Sequence, residues 1–536
     1  MIRIKLKTFL FLFVLASILN AQQLLLKRIY IDDGSSSAQG LRSNIINCIA
    51  LQGEQKTWIG TGQGLSFMND STAIFTIDTM TIVNEDSRFI YDAIAAITTQ
   101  DSTVAFSSLT TQDGDPLGTG IYISENGLTD RNDWYRYDQP IDSNNDSLAQ
   151  FGYGYFIARP LVGTRGVVSY NIDFEGDYLW ITSWYGGLRR LKLDGASNWE
   201  RVPLPVDNQD SLMTCDESEY EDNSRFLILK DYKWDSSDPF GNHNHKAFSV
   251  LAYGDTIWVG TANGINRGTL GHNGCVNWQH FFHPRDNLSG NWVLDIAKQE
   301  VNGEKIIWAI TMNAILESEE RSVSYTKNDG QSWEIVNELR GVRCHDISII
   351  GSTVLIASDD GLWKSDGGEN WELIPPAVEA TPISSDEILT NIVYSVAGDN
   401  REYFDKSIFW IGTADGLART YDINADNWQI YRAVADKEEV YAYPNPFSPF
   451  SHNQLNGDGW VRFNIGSDDI ESVKLDIYNF AMEKVYSEKF DWRMNPGAVK
   501  WNGRDHTGEL VPNGVYFVRV ELSTNEEHWI KLVVVK

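Results

Sequence analysis

Asp295 and Asp346 are the residues whose placement best suits bond-breaking chemistry. Aligning the apolar strand patterns along the chain brings Cys48, Ala93, Asn171, Ser249, Asp295, Asp346 and Ser395 to one equivalent position. The two aspartates then come from consecutive units and stand beside one another. Paired carboxylates are what glycoside hydrolysis uses, one held protonated and one ionised. The competing account is that polar residues merely line a water-filled channel. A second set suits binding rather than cleavage. Trp184 and Tyr185 occupy a turn where related segments carry small residues, and Tyr153, Tyr155 and Trp234 lie in long insertions around it. Exposed aromatic rings offer a flat apolar surface to a sugar ring or a partner side chain.

Other constellations fail on spacing. His243 and His245, with His280 and His283 further on, match no recognised metal-ligand pattern. Asp422-Ile423-Asn424-Ala425-Asp426 begins like a calcium loop, but Asn427 and Ala433 occupy positions where an EF-hand needs glycine and glutamate. The chain has no CxxC pair and no phosphate-cradling glycine loop, so neither a metal nor a cofactor is expected. The four cysteines, Cys48, Cys215, Cys275 and Cys344, are widely spaced. Cys48 and Cys344 fall inside apolar strand patterns and read as small core residues. A disulfide is permitted outside the cytoplasm, but the sequence assigns no pairing.

The elements that position these residues repeat. Thr57-Trp58-Ile59-Gly60-Thr61-Gly62-Gln63-Gly64-Leu65 returns as Ile257 to Ile265 and as Phe409 to Leu417, with a looser copy from Leu179 to Leu188. Each copy reads as a strand, a tight turn and a second strand, with the closing glycine supplying positive φ. An apolar strand precedes each copy and a Trp-containing strand follows most of them. That makes a four-strand unit, and seven such units fit before residue 435. Repeats of this length that bury faces only against their neighbours predict a seven-bladed β-propeller. The strand Leu24–Tyr30 is expected to pair at the ring closure.

Composition agrees with an all-β chain. Among 536 residues there are 19 Trp, 23 Tyr, 23 Phe and 43 Gly. The formal net charge of −30 disfavours nucleic acid and anionic membrane surfaces. Arg3, Lys5 and Lys7, followed by the apolar run Phe9 to Leu19 and a cleavage point after Ala21, predict a signal peptide over residues 1–21. The apolar run is too short to span a bilayer, and no later run is longer.

The repeat Trp-[Ile/Val]-Gly-Thr-x-x-Gly-[Leu/Ile] resembles that of two-component-regulator propellers, which form sensor domains. Thr326-Lys327-Asn328-Asp329-Gly330-Gln331-Ser332-Trp333 resembles the Asp-box of sialidase-like propellers. Lys364-Ser365-Asp366-Gly367-Gly368-Glu369-Asn370-Trp371 resembles it with Lys364 out of pattern. The resemblance implies a structural turn, away from any active site. From Val440 the pattern changes to short alternating strands, which predicts an immunoglobulin-like β-sandwich over residues 436–536. Trp501-Asn502-Gly503-Arg504-Asp505 resembles the Ig-like domain of flagellar hook-capping proteins. Tyr443-Pro444-Asn445-Pro446-Phe447 and Lys531-Leu532-Val533-Val534-Val535-Lys536 resemble the opening and ending of C-terminal sorting domains of type IX secretion cargo. That resemblance implies delivery to the outer cell surface through the periplasm and contact with the secretion machinery.

The resulting organisation is a signal peptide at 1–21, a seven-bladed propeller at 22–435 and a sandwich at 436–536. Three insertions, Ser108–Thr119, Asp138–Gly166 and Pro203–Lys246, are expected to rise together on one face over blades two to four. The favoured reading is binding of an extracellular glycan or protein there, with Trp184, Tyr185, Tyr153, Tyr155 and Trp234 as the contact residues. A polysaccharide-active or sialidase-like hydrolase using Asp295 and Asp346 is second, and an extracytoplasmic sensor third.

Overall fold

A computed structural model describes residues 40–69, 74–76, 81–83, 92–128, 133–142, 145–159, 167–194, 198–223, 225–230, 232, 242–380, 385–433, 439–466, 470–491 and 498–536. The signal peptide, the strand expected at Leu24–Tyr30 and Trp234 lie outside the described residues.

The chain is all-β, and among the described residues seven sheets follow one another as blades, antiparallel except where Thr81–Ile82 runs parallel to the start of Asp133–Tyr137. Their inner strands are Ile46–Gln52, Ala93–Gln100, Ser169–Glu175, Ala247–Tyr253, Trp292–Val301, Cys344–Ile350 and Val393–Asp399. Each packs against the next, and the seventh packs against the first, closing the ring. Closure is reinforced from both sides. The Gly416 amide donates to the Asn44 carbonyl, and Arg401 of blade seven donates to the Lys56 carbonyl of blade one.

The repeated tryptophan is the mortar between blades. Trp58, Trp258 and Trp308, all buried, meet Trp134, Trp333 and Trp371 of the following blade at 6.0, 6.0 and 6.1 Å, nearly edge-on. Edge-to-face rings are the favoured geometry at that distance. A buried indole N–H needs an acceptor. Trp58 and Trp308 donate to Gln52 and Gln299 at 2.8 and 3.0 Å, and Trp410 to Asp399 at 3.0 Å. The turn that follows is closed by its threonine. Thr61, Thr261 and Thr413 donate to the carbonyls of Gly64, Gly264 and Gly416 at 2.8, 3.0 and 2.9 Å, and Gly64 takes φ +94°.

Every inner strand carries a β-bulge near its start. The residues just past it are Cys48, Ala96, Asn171, Ser249, Asp295, Asp346 and Ser395. Six of these match the sequence alignment; in blade two the equivalent residue is Ala96 and not Ala93. The run Ala93-Ile94-Ala95-Ala96 is too uniform to show where the bulge falls. The bulge also explains the glycine after Trp-Ile. A Cβ at Gly60, Gly260 or Gly412 would sit 2.3–2.4 Å from the Cys48 sulfur or the Ser249 or Ser395 hydroxyl directly opposite.

The insertions differ from expectation. Ser108–Thr119 does not form a loop but lengthens the hairpin of Thr103–Gln112 and Asp115–Ser124. The other two insertions meet in a separate sheet, formed by Ser147–Phe151, Gly154–Ala158, Leu227–Leu229 and Tyr220–Asp222. One parallel bridge, Tyr155 to Ile228, joins the two insertions. Phe151, Phe156, Tyr220 and Leu229 of this wall sheet pack on Trp180 of blade three and Val250 and Trp278 of blade four. A disulfide, Cys215–Cys275, ties it to the turn before blade four's outer strand. The described residues of these two insertions therefore brace the side of the ring. Cys344 is buried and Cys48 half-buried.

The last strands form two facing sheets. Tyr441–Tyr443, Val461–Asn464 and Lys500–Trp501 make one; Lys484–Asp491, Ser472–Tyr478, Gly514–Leu522 and Glu527–Val534 make the other. Val461, Phe463, Leu475, Ile477, Trp501, Val518 and Leu532 share the core between them. This β-sandwich is not a free tail. Its Arg462 bonds Asp386 and Asp415 of the propeller at 2.8 Å each, and Lys500 pairs with Glu387.

Candidate ligand-binding site

The inner strands begin at one end of the ring, and the turns between second and third strands open on that same end. Trp184 sits in such a turn, between Tyr178–Ser183 and Gly187–Lys192. Its ring stacks on Phe248 of blade four at 5.4 Å and meets Trp292 of blade five edge-on at 6.1 Å. On its other side it packs against a cluster of Ala93, Ala95 and Leu109 from blade two with Val168 and Tyr170 from blade three. A side chain that meets four consecutive blades lies near the axis. Trp184 is thus a half-buried plug at the mouth of the ring, and the pair is less exposed than its sequence context suggests. Lys246 Nζ lies 4.7 Å from the Trp184 ring, a cation–π distance. Tyr185, also half-buried, stands edge-on to Trp184 at 6.3 Å. Burial, with a smaller effect of Tyr185, pushes the Tyr170 phenol far above its ordinary value, so it stays neutral.

Tyr153 and Tyr155, also expected at the site, lie elsewhere. Tyr153 is exposed in the first turn of the wall sheet, and Tyr155 contacts Phe226 there at 4.9 Å. The two turn aromatics share the mouth, while Tyr153 and Tyr155 belong to the side of the ring.

Asp295 and Asp346 are neighbours, as their alignment requires, and the Ile347 amide donates to both at 3.3 and 3.0 Å. Both carboxylates link neighbouring blades. Asp295 of blade five accepts from blade six through Ile347, and Asp346 of blade six accepts from the Val396 amide of blade seven at 2.9 Å. Asn171 does the same for Val250 at 3.2 Å. Among the described residues the inner strands have no partner strand on their axial edge, and these side chains occupy amides there. The histidines are similarly engaged. His245 meets the Tyr232 hydroxyl at 2.7 Å, and burial drives its pKa well below the usual value. The His280 ring lies between the carbonyls of Gln209 and Asn263 at 2.9 and 2.6 Å.

One feature of the mouth was not visible in the sequence. Glu319, itself buried, accepts from the amides of Asn291, Ala314 and Leu316 at 3.0, 2.6 and 3.0 Å. That carboxylate freezes the blade-five turn, leaving Ile315 and Leu316 at its tip 73% and 45% exposed. The run Ala-Ile-Leu-Glu-Ser-Glu-Glu offered a signal only in its apolar residues outside any strand pattern.

No family model matches the sequence, and no curated protein matches it. Among solved structures, the chain is similar to a GH74 enzyme of Niastella koreensis at 11% identity, covering 93% of this chain and 67% of that one, with a TM-score of 0.45. It is similar to PorZ, a surface component of the type-IX secretion system of Porphyromonas gingivalis, at 12% identity and coverages of 92% and 81%, with a TM-score of 0.21. It is also similar to the extracellular domain of the putative one-component system BT4673 of B. thetaiotaomicron, at 11% identity and coverages of 92% and 87%, TM-score 0.23. None of these scores reaches 0.5, and the seven-blade architecture rests on the chain's own strand pairing.

Proposed function

We propose that the protein is a secreted or cell-surface propeller that binds an extracellular glycan or protein at the axial mouth, with residues 436–536 serving as a type IX secretion sorting module. The observation that carries the binding reading is Trp184, a large ring held across four blades at the open end of the ring, beside Tyr185 and Lys246. The Cys215–Cys275 disulfide supports export, because such bonds persist in oxidising compartments. In the sandwich, the two stretches that carry the sorting resemblance touch. Asn445 donates to the Lys531 carbonyl at 2.8 Å and accepts from the Val533 amide at 3.0 Å, and the Phe447 amide donates to Val533 at 2.8 Å. Their pairing makes one surface from the module's opening and its last strand.

The test is Trp184→Ala against a panel of xyloglucan, β-glucan, xylan and mannan, scored for both binding and released sugar. Losing a central aromatic anchor should weaken binding roughly thirty-fold. Because the ring is half-buried, the variant should also lose about 1–2 kcal/mol, less than a full core truncation. Unchanged affinity per folded molecule removes the mouth as the site.

A further inference from the structure

The sandwich carries a second aromatic surface that neither the mouth nor the sorting reading uses. On the outward face of its four-stranded sheet, Tyr478, Phe517 and Trp529 come from three adjacent strands, and Phe480 stands just beyond the end of one of them. Tyr478 and Trp529 lie 5.7 Å apart, inclined by 34°, and Phe480 and Phe517 lie 6.4 Å apart, inclined by 33°. The band is open to solvent, with Phe480 79% and Trp529 51% exposed. Large aromatics this exposed add nothing to the core behind them, which is filled by Leu475, Ile477, Val518, Val520 and Leu532.

Two observations identify the occupant. The first is that two of the rings, Trp529 and Tyr478, are held in place. Trp529 Nε1 donates to Glu527 at 2.8 Å, and Lys484 Nζ lies over Tyr478 at 5.7 Å. Rings fixed before binding lose little freedom when a ligand covers them. The second is charge. Lys474, Lys484 and Arg519 pair with Asp476, Glu521 and Glu527 at 2.6–3.7 Å. Three cations and three anions cancel, as do Lys489 and Asp491 opposite Lys474 and Ser472, and Lys531, across the sheet from Phe517, adds one positive charge. In a chain of net charge −30 this face is locally balanced: rich in hydrogen-bonding groups, with little net field. An anionic lipid surface or a highly charged peptide would find no complementary field there. A polyhydroxylated, largely uncharged chain fits both features. Its C–H faces stack on the rings and its hydroxyls meet the paired charges at the edge.

We propose that the outward face of the sandwich, through Tyr478, Phe480, Phe517 and Trp529, is a polysaccharide-binding platform, distinct from the mouth around Trp184.

The experiment compares the full-length chain with a Phe480→Ala/Trp529→Ala variant by affinity electrophoresis in xyloglucan, β-glucan, xylan and mannan, and by pull-down on cellulose and chitin. Vesicles of phosphatidylcholine alone and with phosphatidylglycerol form a separate arm. The expected result is retention on at least one polysaccharide that falls roughly thirty-fold in the double variant and survives Trp184→Ala. Both substituted side chains are exposed, so the melting temperature should hold and the comparison stays between folded proteins. Absence of retention on every polysaccharide, retention unchanged in the double variant, or vesicle binding that the double variant abolishes would each overturn the proposal. Retention lost only in Trp184→Ala would assign the sugar to the mouth.

Discussion

The wall sheet and the sandwich are both additions to the same ring, and they are fastened in opposite ways. The wall sheet adheres through apolar side chains, with Phe151, Phe156 and Leu229 among those packed on Trp180 and Trp278, and is then stitched by one disulfide. The sandwich is held by charge. Asp415, fully buried, receives Arg462 at 2.8 Å and Arg432 at 3.2 Å, and Asp386 takes the same two guanidiniums at 2.8 and 2.6 Å. Arg462 and Arg432 also share the Glu387 carbonyl. Apolar adhesion is strong but indifferent to register, so a covalent link fixes its position. Bidentate guanidinium–carboxylate pairs fix register themselves, at a desolvation cost that makes them intolerant of losing one member. The two seams should therefore fail to different insults.

Arg462→Leu should give the largest effect. It leaves the buried Asp415 carboxylate with Arg432 and the Leu389 amide, one cation fewer, and breaking a buried pair from one side costs about 3–5 kcal/mol. Limited proteolysis should release a C-terminal fragment from the variant at a protease level the wild type resists. Adding Asp415→Asn should restore part of the loss, because the orphaned charge disappears. A sandwich that stays protected in Arg462→Leu would show that the apolar contacts of Leu389, Leu455 and Ala498 carry this seam instead. The same geometry bears on separability. Deleting residues 440–536 would strip Asp386, Asp415 and Glu387 of Arg462 and Lys500.

Opening the wall seam should come next. Cys215→Ser/Cys275→Ser frees a loop closed over a separation of 60 residues, and a disulfide is typically worth about 2–4 kcal/mol. Hydrogen exchange should accelerate in Ser147–Phe151, Gly154–Ala158 and Leu227–Leu229 while the sandwich strands keep their protection. If exchange rises equally across blades three and four, the wall sheet is part of the ring's own stability and not an accessory to it.

How much of this was legible follows from what is local. The Trp-Ile-Gly-Thr repeat exposes its logic in one line of sequence, since strand, turn and glycine lie within nine residues of each other. Seven blades could be counted from it. The bulge was half legible: Asp295, Asp346 and Asn171 align because polar residues break an apolar run, while Ala93 and Ala96 do not differ. The wall sheet was illegible because its joining contact, Tyr155 to Ile228, spans two insertions with no shared pattern. The ionic seam was illegible for the same reason, with Arg462 and Asp415 each ordinary in its own strand. Trp184 stands out in the sequence as a large residue where small ones are usual, but its half-burial depends on Phe248 and Trp292, which only the closed ring brings near.

The finest contrast between the seams is between carboxylates. Asp173, on blade three's inner strand, accepts from the Ala252 amide of blade four at 2.8 Å and from Phe174 at 2.9 Å. No cation joins it in those contacts, and burial raises its pKa to about 7, the amides only partly opposing the rise. Burial pushes Asp386 the same way, but Arg432 and then Arg462 outweigh it and hold its carboxyl below the ordinary value. The signs are opposite. A raised acid favours the folded state while protonated, so the contribution of Asp173 is full below about pH 4 and is lost as pH rises through about 7. A depressed acid contributes above its unfolded value and is lost only in more acid solution, so Asp386 is indifferent between pH 5 and 8. Over that window the blade three–four seam should weaken as pH rises, and the sandwich seam should not. Asp173→Asn cannot ionise, so its melting temperature should fall less than the wild type's between pH 5 and 8, by about 1–2 °C. Asp386→Asn should be destabilised by a similar amount at both pH values. Parallel pH profiles for wild type and Asp173→Asn would mean that the carboxyl is already ionised at pH 5, and that its two amide donors outweigh its burial.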